Sequence, residues 1–130
     1  MGRDPASPQE LFRLGPVAEV EVTGPGADEP DFRLDFRVDG ERFDVRMGGP
    51  FIFTTVDGRV LHCESEEPES IALVRESLRS IVALVATDDG VLTITGHDGS
   101  QLIVPPDDMY EVWIIRNYDG YVLPSPMLGR

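Results

Sequence analysis

Five Asp-Gly pairs punctuate the chain, at Asp39-Gly40, Asp57-Gly58, Asp89-Gly90, Asp98-Gly99 and Asp119-Gly120. Both central residues of a type I′ turn need φ > 0, and Asp-Gly between apolar-patterned segments meets that demand. The pairs are 18, 32, 9 and 21 residues apart, so they mark successive antiparallel hairpins and not a solenoid with a fixed period. At 130 residues the chain has length for one domain around one modest core. We therefore expect a single α+β, β-rich domain spanning residues 1–130, with a flexible tail over residues 1–10. Its architecture would be a curled antiparallel meander of about 7–8 strands, with one helix packed on the sheet.

The first hairpin shows the pattern most fully. Phe32, Leu34, Phe36 and Val38 alternate with Asp31, Arg33, Asp35 and Arg37, and Phe43, Val45 and Met47 alternate with Arg42, Asp44 and Arg46. One face is core and the other is charged. A two-residue turn would set Arg37 opposite Arg42 and Asp35 opposite Asp44. A four-residue loop over Asp39 to Arg42 would instead pair Arg37 with Asp44 and Asp35 with Arg46, so charge pairing favours the longer loop.

Beyond the breaker Gly48-Gly49-Pro50, the segment from Phe51 to Val56 opens with Phe51, Ile52 and Phe53, apolar on both pleat faces as in a covered, central strand. The segment from Arg59 to Glu64 follows. The helix is expected over residues 68–80: Pro68 suits the first turn, Glu66, Glu67 and Glu69 favour its positive end, and Arg75 and Arg79 its negative end. Ile71, Val74, Leu78 and Ile81 form its apolar stripe. Ile81 to Thr87, Val91 to Thr95, Gln101 to Val104, Tyr110 to Arg116 and Tyr121 to Leu123 read as further strands.

The hairpins at Asp89-Gly90-Val91-Leu92-Thr93-Ile94 and Asp98-Gly99-Ser100-Gln101-Leu102-Ile103-Val104, followed by Tyr110-Glu111-Val112-Trp113-Ile114-Ile115, carry a family likeness. They resemble a family of small uncharacterised bacterial proteins, a domain of unknown function with a terminal Tyr-Glu-x-Trp strand. The likeness covers roughly Phe51 to Leu123. It implies a β-rich single domain and brings no activity or catalytic residues with it.

With 24 acidic residues against 11 arginines and no lysine, the formal charge is −13. That balance argues against nucleic acid or an anionic membrane as partner and favours a basic protein. No apolar run approaches the roughly 18 residues that span a bilayer. Residues 1–15 lack the apolar stretch of a secretory signal, and the single cysteine, Cys63, makes no internal disulfide, so a cytoplasmic protein is expected. His62-Cys63-Glu64 alternates across a strand and has no second cysteine for a zinc pair, while His97 sits at a hairpin tip, so no metal site, cofactor or catalytic residue is assigned. The partner-binding candidates are Asp107, Asp108, Tyr110, Glu111 and Trp113, an aromatic pair rimmed by acids. The expected function is a non-catalytic binding module, most concretely an acidic inhibitor or immunity-type protein for a basic partner. Two alternatives are a small-molecule or metal-binding β-barrel with enzymatic activity, and a homo-oligomer, such as a homodimer, joined through the doubly apolar strands.

Overall fold

A computed structural model describes residues 9–23, 32–64, 67–107, 112–117 and 122–124. In chain order the strands are β1 (Glu10–Leu14), β2 (Val20–Thr23), β3 (Phe32–Val38), β4 (Glu41–Met47), β5 (Pro50–Thr54) and β6 (Val60–Glu64). After helix α1 (Pro68–Ser77) come β7 (Ile81–Thr87), β8 (Leu92–Gly96), β9 (Gln101–Val104), β10 (Trp113–Asn117) and β11 (Val122–Pro124). Among the described residues these strands form two antiparallel sheets. One has six strands in the order β1-β7-β8-β9-β5-β6, and the other has five in the order β11-β10-β4-β3-β2.

The expectation of a β-rich antiparallel fold with one helix holds, while the strand count and the single curled sheet do not. Eleven strands are present among the described residues. The chain changes sheet where its patterning breaks: between β1 and β2 at Gly15-Pro16, between β4 and β5 at Gly48-Gly49, and between β9 and β10. In the sandwich one face of a doubly apolar strand enters the core, and on the outer face cross-strand neighbours shield the side chain in part, as His62 and Ile103 flank Ile52. Phe51 and Phe53 are buried while Ile52 between them is half-buried.

The core lies between the sheets. Phe32, Leu34, Val45, Trp113 and Ile115 of the five-stranded sheet and Phe51, Leu84, Leu92, Ile94 and Leu102 of the other are buried to 2% exposure or less. Aromatic rings meet across the gap, Phe32 with Phe51 at 5.3 Å and Phe12 with Phe43 at 6.3 Å between centroids.

The helix ends earlier than the expected residue 80. Leu78 caps it at φ −110°, and the Arg79 carbonyl then accepts a bond from Val20 N–H (2.8 Å). Ile71, Val74 and Leu78 are buried as the stripe predicts, but Ile81 belongs to β7. The buried stripe of α1 joins the core, and the helix also runs beside the edge strand β2, where Arg75 Nε donates to the Val22 carbonyl at 3.2 Å. Gly96 admits this closure: a Cβ there would lie 2.7 Å from the Ser77 carbonyl oxygen.

Only one of the four Asp-Gly turns within the described residues has the expected geometry. At Asp39-Gly40 both residues have positive φ, 51° and 84°, and Val38 pairs with Glu41. This tight two-residue turn overturns the four-residue loop. Arg37 faces Arg42, and Asp35 faces Asp44. Turn geometry that matches strand twist prevails because the charges find partners elsewhere: Arg33 holds Asp35 along its own strand at 2.9 Å, and Arg116 holds Asp44 from β10. The other three turns are three-residue loops, Val56-Asp57-Gly58, Asp88-Asp89-Gly90 and His97-Asp98-Gly99, with positive φ only at the glycine. In each, the glycine N–H returns to the residue just before the loop, and the aspartate accepts from a neighbouring hydroxyl, of Thr55, Thr87 or Ser100 respectively. Asp119-Gly120 lies outside the described residues.

Candidate functional site

The five partner-binding candidates do not assemble as one aromatic patch among the described residues. Trp113 is 1% exposed, and its indole Nε1 donates to the Gly90 carbonyl at 2.9 Å. Its ring belongs to the core and bridges the two sheets, so a docking partner would not meet it on the surface. Asp107 is half-exposed just beyond β9, and Asp108, Tyr110 and Glu111 lie outside the described residues.

His62 and Glu64 are exposed on the edge strand β6, and Cys63 between them is buried. Cys63 pairs with Phe51 near the start of β5, whereas His97 follows β8 at the opposite end of the sheet. The topology thus keeps Cys63 from forming a dyad with His97. No group of three metal-ligating side chains exists among the described residues, and no helix there is long and apolar enough to cross a membrane.

Register places acids that are distant in sequence at one end of the six-stranded sheet. Glu64 pairs with Pro50, Ile52 pairs with Ile103, Leu92 pairs with Val104, and Glu10 pairs with Thr87. At that end, beyond or on the last pairs, stand Glu10, Glu64, Glu67, Asp88, Asp89 and Asp107, all exposed except the half-exposed Asp107. Six strands at about 4.8 Å spacing spread these carboxylates over roughly 24 Å. Several also hold local structure. Asp88 Oδ1 accepts from Gln9 N–H at 2.8 Å, and Glu67 Oε1 accepts from Glu64 N–H at 3.1 Å and Ser70 Oγ at 3.2 Å. Arg13 on β1 is held by Glu10 at 2.9 Å.

The arginines collect elsewhere. Arg33, Arg37, Arg42, Arg46 and Arg116 all project from the outer face of the five-stranded sheet, five of the chain's eleven. Beside that face, between β2 and the end of α1, runs an open groove of about 860 Å³ lined by Arg37, Arg42, Arg75 and Arg79. Glu19, Glu21 and Asp35 line it as well. In the sequence, Arg33, Arg37, Arg42 and Arg46 read as the charged half of an alternation, and Arg75 and Arg79 as complements to the negative end of the helix. The signal available was that four of them, Arg33, Arg37, Arg42 and Arg46, occupy every outward basic position of one hairpin.

At the other end of the six-stranded sheet, hydrogen bonds from the Ser100 hydroxyl and backbone N–H hold the Asp98 carboxyl below the ordinary aspartate value of 3.8. A depressed native value adds stability above 3.8 that is lost as pH falls through it. Ser100→Ala should therefore weaken the protein at neutral pH and close the gap to wild type as pH falls from about 5 to about 2, in thermal melts followed by circular dichroism. A gap that stays constant across that range would assign the Ser100 effect to packing alone.

Compared with known proteins, the chain matches no family model, no curated protein and no solved structure.

Proposed function

We propose that this chain is a non-catalytic binding module that docks a basic protein through the acid-rich end of its six-stranded sheet. The observation that carries this reading is the convergence of Glu10, Glu64, Glu67, Asp88, Asp89 and Asp107 on one end of one rigid sheet. In the sequence, the helix-start acids and the Asp107 loop stand about forty residues apart. Register makes them one surface, and Asp108 and Glu111 follow directly in the chain from Asp107. An array of carboxylates on a protein of charge −13 steers a basic partner inward and sets its orientation. In its most concrete form the module is an inhibitor or immunity-type protein that caps a basic toxin-like enzyme. The resemblance of the Asp-Gly hairpins and the Tyr-Glu-x-Trp segment to a small bacterial family is compatible with this reading and brings no activity of its own.

The test is retention of a basic protein from lysate on the immobilised chain. Binding should be strong at about 50 mM salt and largely lost by about 200 mM, the range over which a charge-dominated complex weakens. Glu64→Lys with Asp107→Lys should abolish retention, whereas Arg59→Gln, at the opposite end of the sheet, should leave it intact. Retention indifferent to salt, or unaffected by the double reversal, would remove this surface from consideration.

A further inference from the structure

The two outer faces of the sandwich are built differently. That of the five-stranded sheet carries five arginines with Asp35 and Asp44, as a water-facing strand surface does in a chain that is 27% charged. The outer face of the six-stranded sheet departs from this. Register lays one row across it from His62 through Ile52, Ile103, Thr93 and Val85 to Arg13. A second row runs from Val60 through Thr54, Gln101 and Thr95 to Ala83. On β5, β9, β8 and β7 these side chains are half-buried and alternate with buried ones, so both rows face away from the core. The two rows hold no carboxylate, and their one permanent charge, Arg13, stands at the β1 edge and is held by Glu10 at 2.9 Å. Gln101 Nε2 donates to Thr95 Oγ1 at 3.3 Å, which pairs polar atoms within the face. Val60, at one end of the second row, is 57% exposed, and Val82, beside Ala83 at the other end, is 53% exposed. An uncharged surface with exposed valines at both margins has the makeup of an interface.

The chemistry of the face selects its occupant. A basic protein is drawn to the carboxylates at the strand ends, an anionic membrane is repelled by them, and neither finds a complementary charge on the two rows. A second copy of the chain meets this face without opposing like charges or burying an unpaired ion. A two-fold axis running across the strands lays each acid-rich end over the copy's opposite end, where Arg59, Arg79 and His97 stand among Asp57, Glu76 and Asp98. Acid end then never faces acid end. The area is sufficient as well. Counting the next row, with Pro50 and Thr87, three rows repeat at about 6.8 Å along strands spread over roughly 24 Å, so each copy offers about 480 Å². A pair buries about 1,000 Å², where specific interfaces begin.

We propose that the chain forms a two-fold dimer by packing the outer faces of its six-stranded sheets together, at the separation of about 10 Å that stacked sheets adopt. The dimer is independent of docking by the acid-rich end, whose strand-end carboxylates stay at its rim.

The experiment is size exclusion of the full chain with light scattering, loaded from about 1 to about 100 μM, the range in which small interfaces associate. The mass should rise to twice the chain's 14.4 kDa. Thr93→Arg, in the middle of the face, should remain at the monomer mass while its circular dichroism melt stays close to that of wild type. Gln101→Glu is isosteric, leaves an acceptor for the Thr95 hydroxyl, and should weaken association tenfold or more. Arg37→Gln, on the other sheet, should dimerise as wild type. A monomer at the highest concentration would overturn the proposal. So would a dimer that a folded Thr93→Arg chain keeps or, if that variant does not fold, one that Gln101→Glu leaves unchanged.

Discussion

Trp113→Ala should cost about 3–5 kcal/mol of folding stability, the usual range for deleting a large buried aromatic ring. The ring is 1% exposed on β10, in register with Met47 of β4, and reaches the turn between β7 and β8 in the other sheet. Two losses combine in this substitution. The core between the sheets acquires a cavity, and the Gly90 carbonyl, itself at a buried residue, loses the indole N–H that satisfies it. A buried acceptor left without its donor costs about 1–3 kcal/mol on its own. Trp113→Phe separates the two, since it keeps most of the apolar volume and loses the bond, and it should cost about 1–3 kcal/mol. Against a total stability of about 5–15 kcal/mol for a domain, the alanine variant would stand near the edge of folding. Urea unfolding followed by circular dichroism measures both, because Trp113 is the chain's one tryptophan and fluorescence would be lost with it. A cost below about 1 kcal/mol for the alanine variant would contradict the buried placement and return Trp113 to the surface as a docking residue.

How much of this was legible in the sequence depended on whether the deciding contacts were local. The Asp-Gly pairs and the alternation around them announced antiparallel hairpins, and β7 and β9 begin and end where their patterning says. The register of the first hairpin was misjudged because the counter-charge for Asp44 comes from Arg116, on a strand 72 residues away. No local pairing rule could include it. The strands β1 and β2 were overlooked because they are short and flank the Gly15-Pro16 break, and they gain their order from pairing with β7 and β3. Trp113 was misplaced for a different reason: residues 112–115 are apolar on both pleat faces, so alternation alone does not say which face is inward. The acid end and the arginine groove share one cause. Each is assembled from several elements, and only the strand order brings Glu10 alongside Thr87 or Arg79 against Val20.

The same long-range pair supports the second large prediction. Asp44 sits on the outer face of the five-stranded sheet yet is 1% exposed, and it accepts two bonds from Arg116, at 3.1 Å from Nε and 2.9 Å from Nη2. The two partners are unequal. The Arg116 side chain keeps 37% of its exposure and the Asp44 side chain 2%, so the carboxylate has given up most of its water and the guanidinium has not. Removing one partner of a buried pair typically costs about 3–5 kcal/mol, because the charge left behind has lost its counter-ion without regaining its water. Arg116→Met should therefore cost about 3 kcal/mol, the lower end of that range because Arg116 is partly screened by solvent. Asp44→Ala should cost less, since the guanidinium it leaves behind can turn toward water. Combining Arg116→Met with Asp44→Leu removes both charges and replaces them with apolar groups. It should recover much of the loss, as replacement of whole buried pairs often does. Urea denaturation of the three variants, read as a double-mutant cycle, decides the matter. Arg116→Met costing no more than Asp44→Ala would show that desolvation of the carboxylate does not govern this face. The pair would then be worth only what a surface ion pair is worth, about 0–1 kcal/mol.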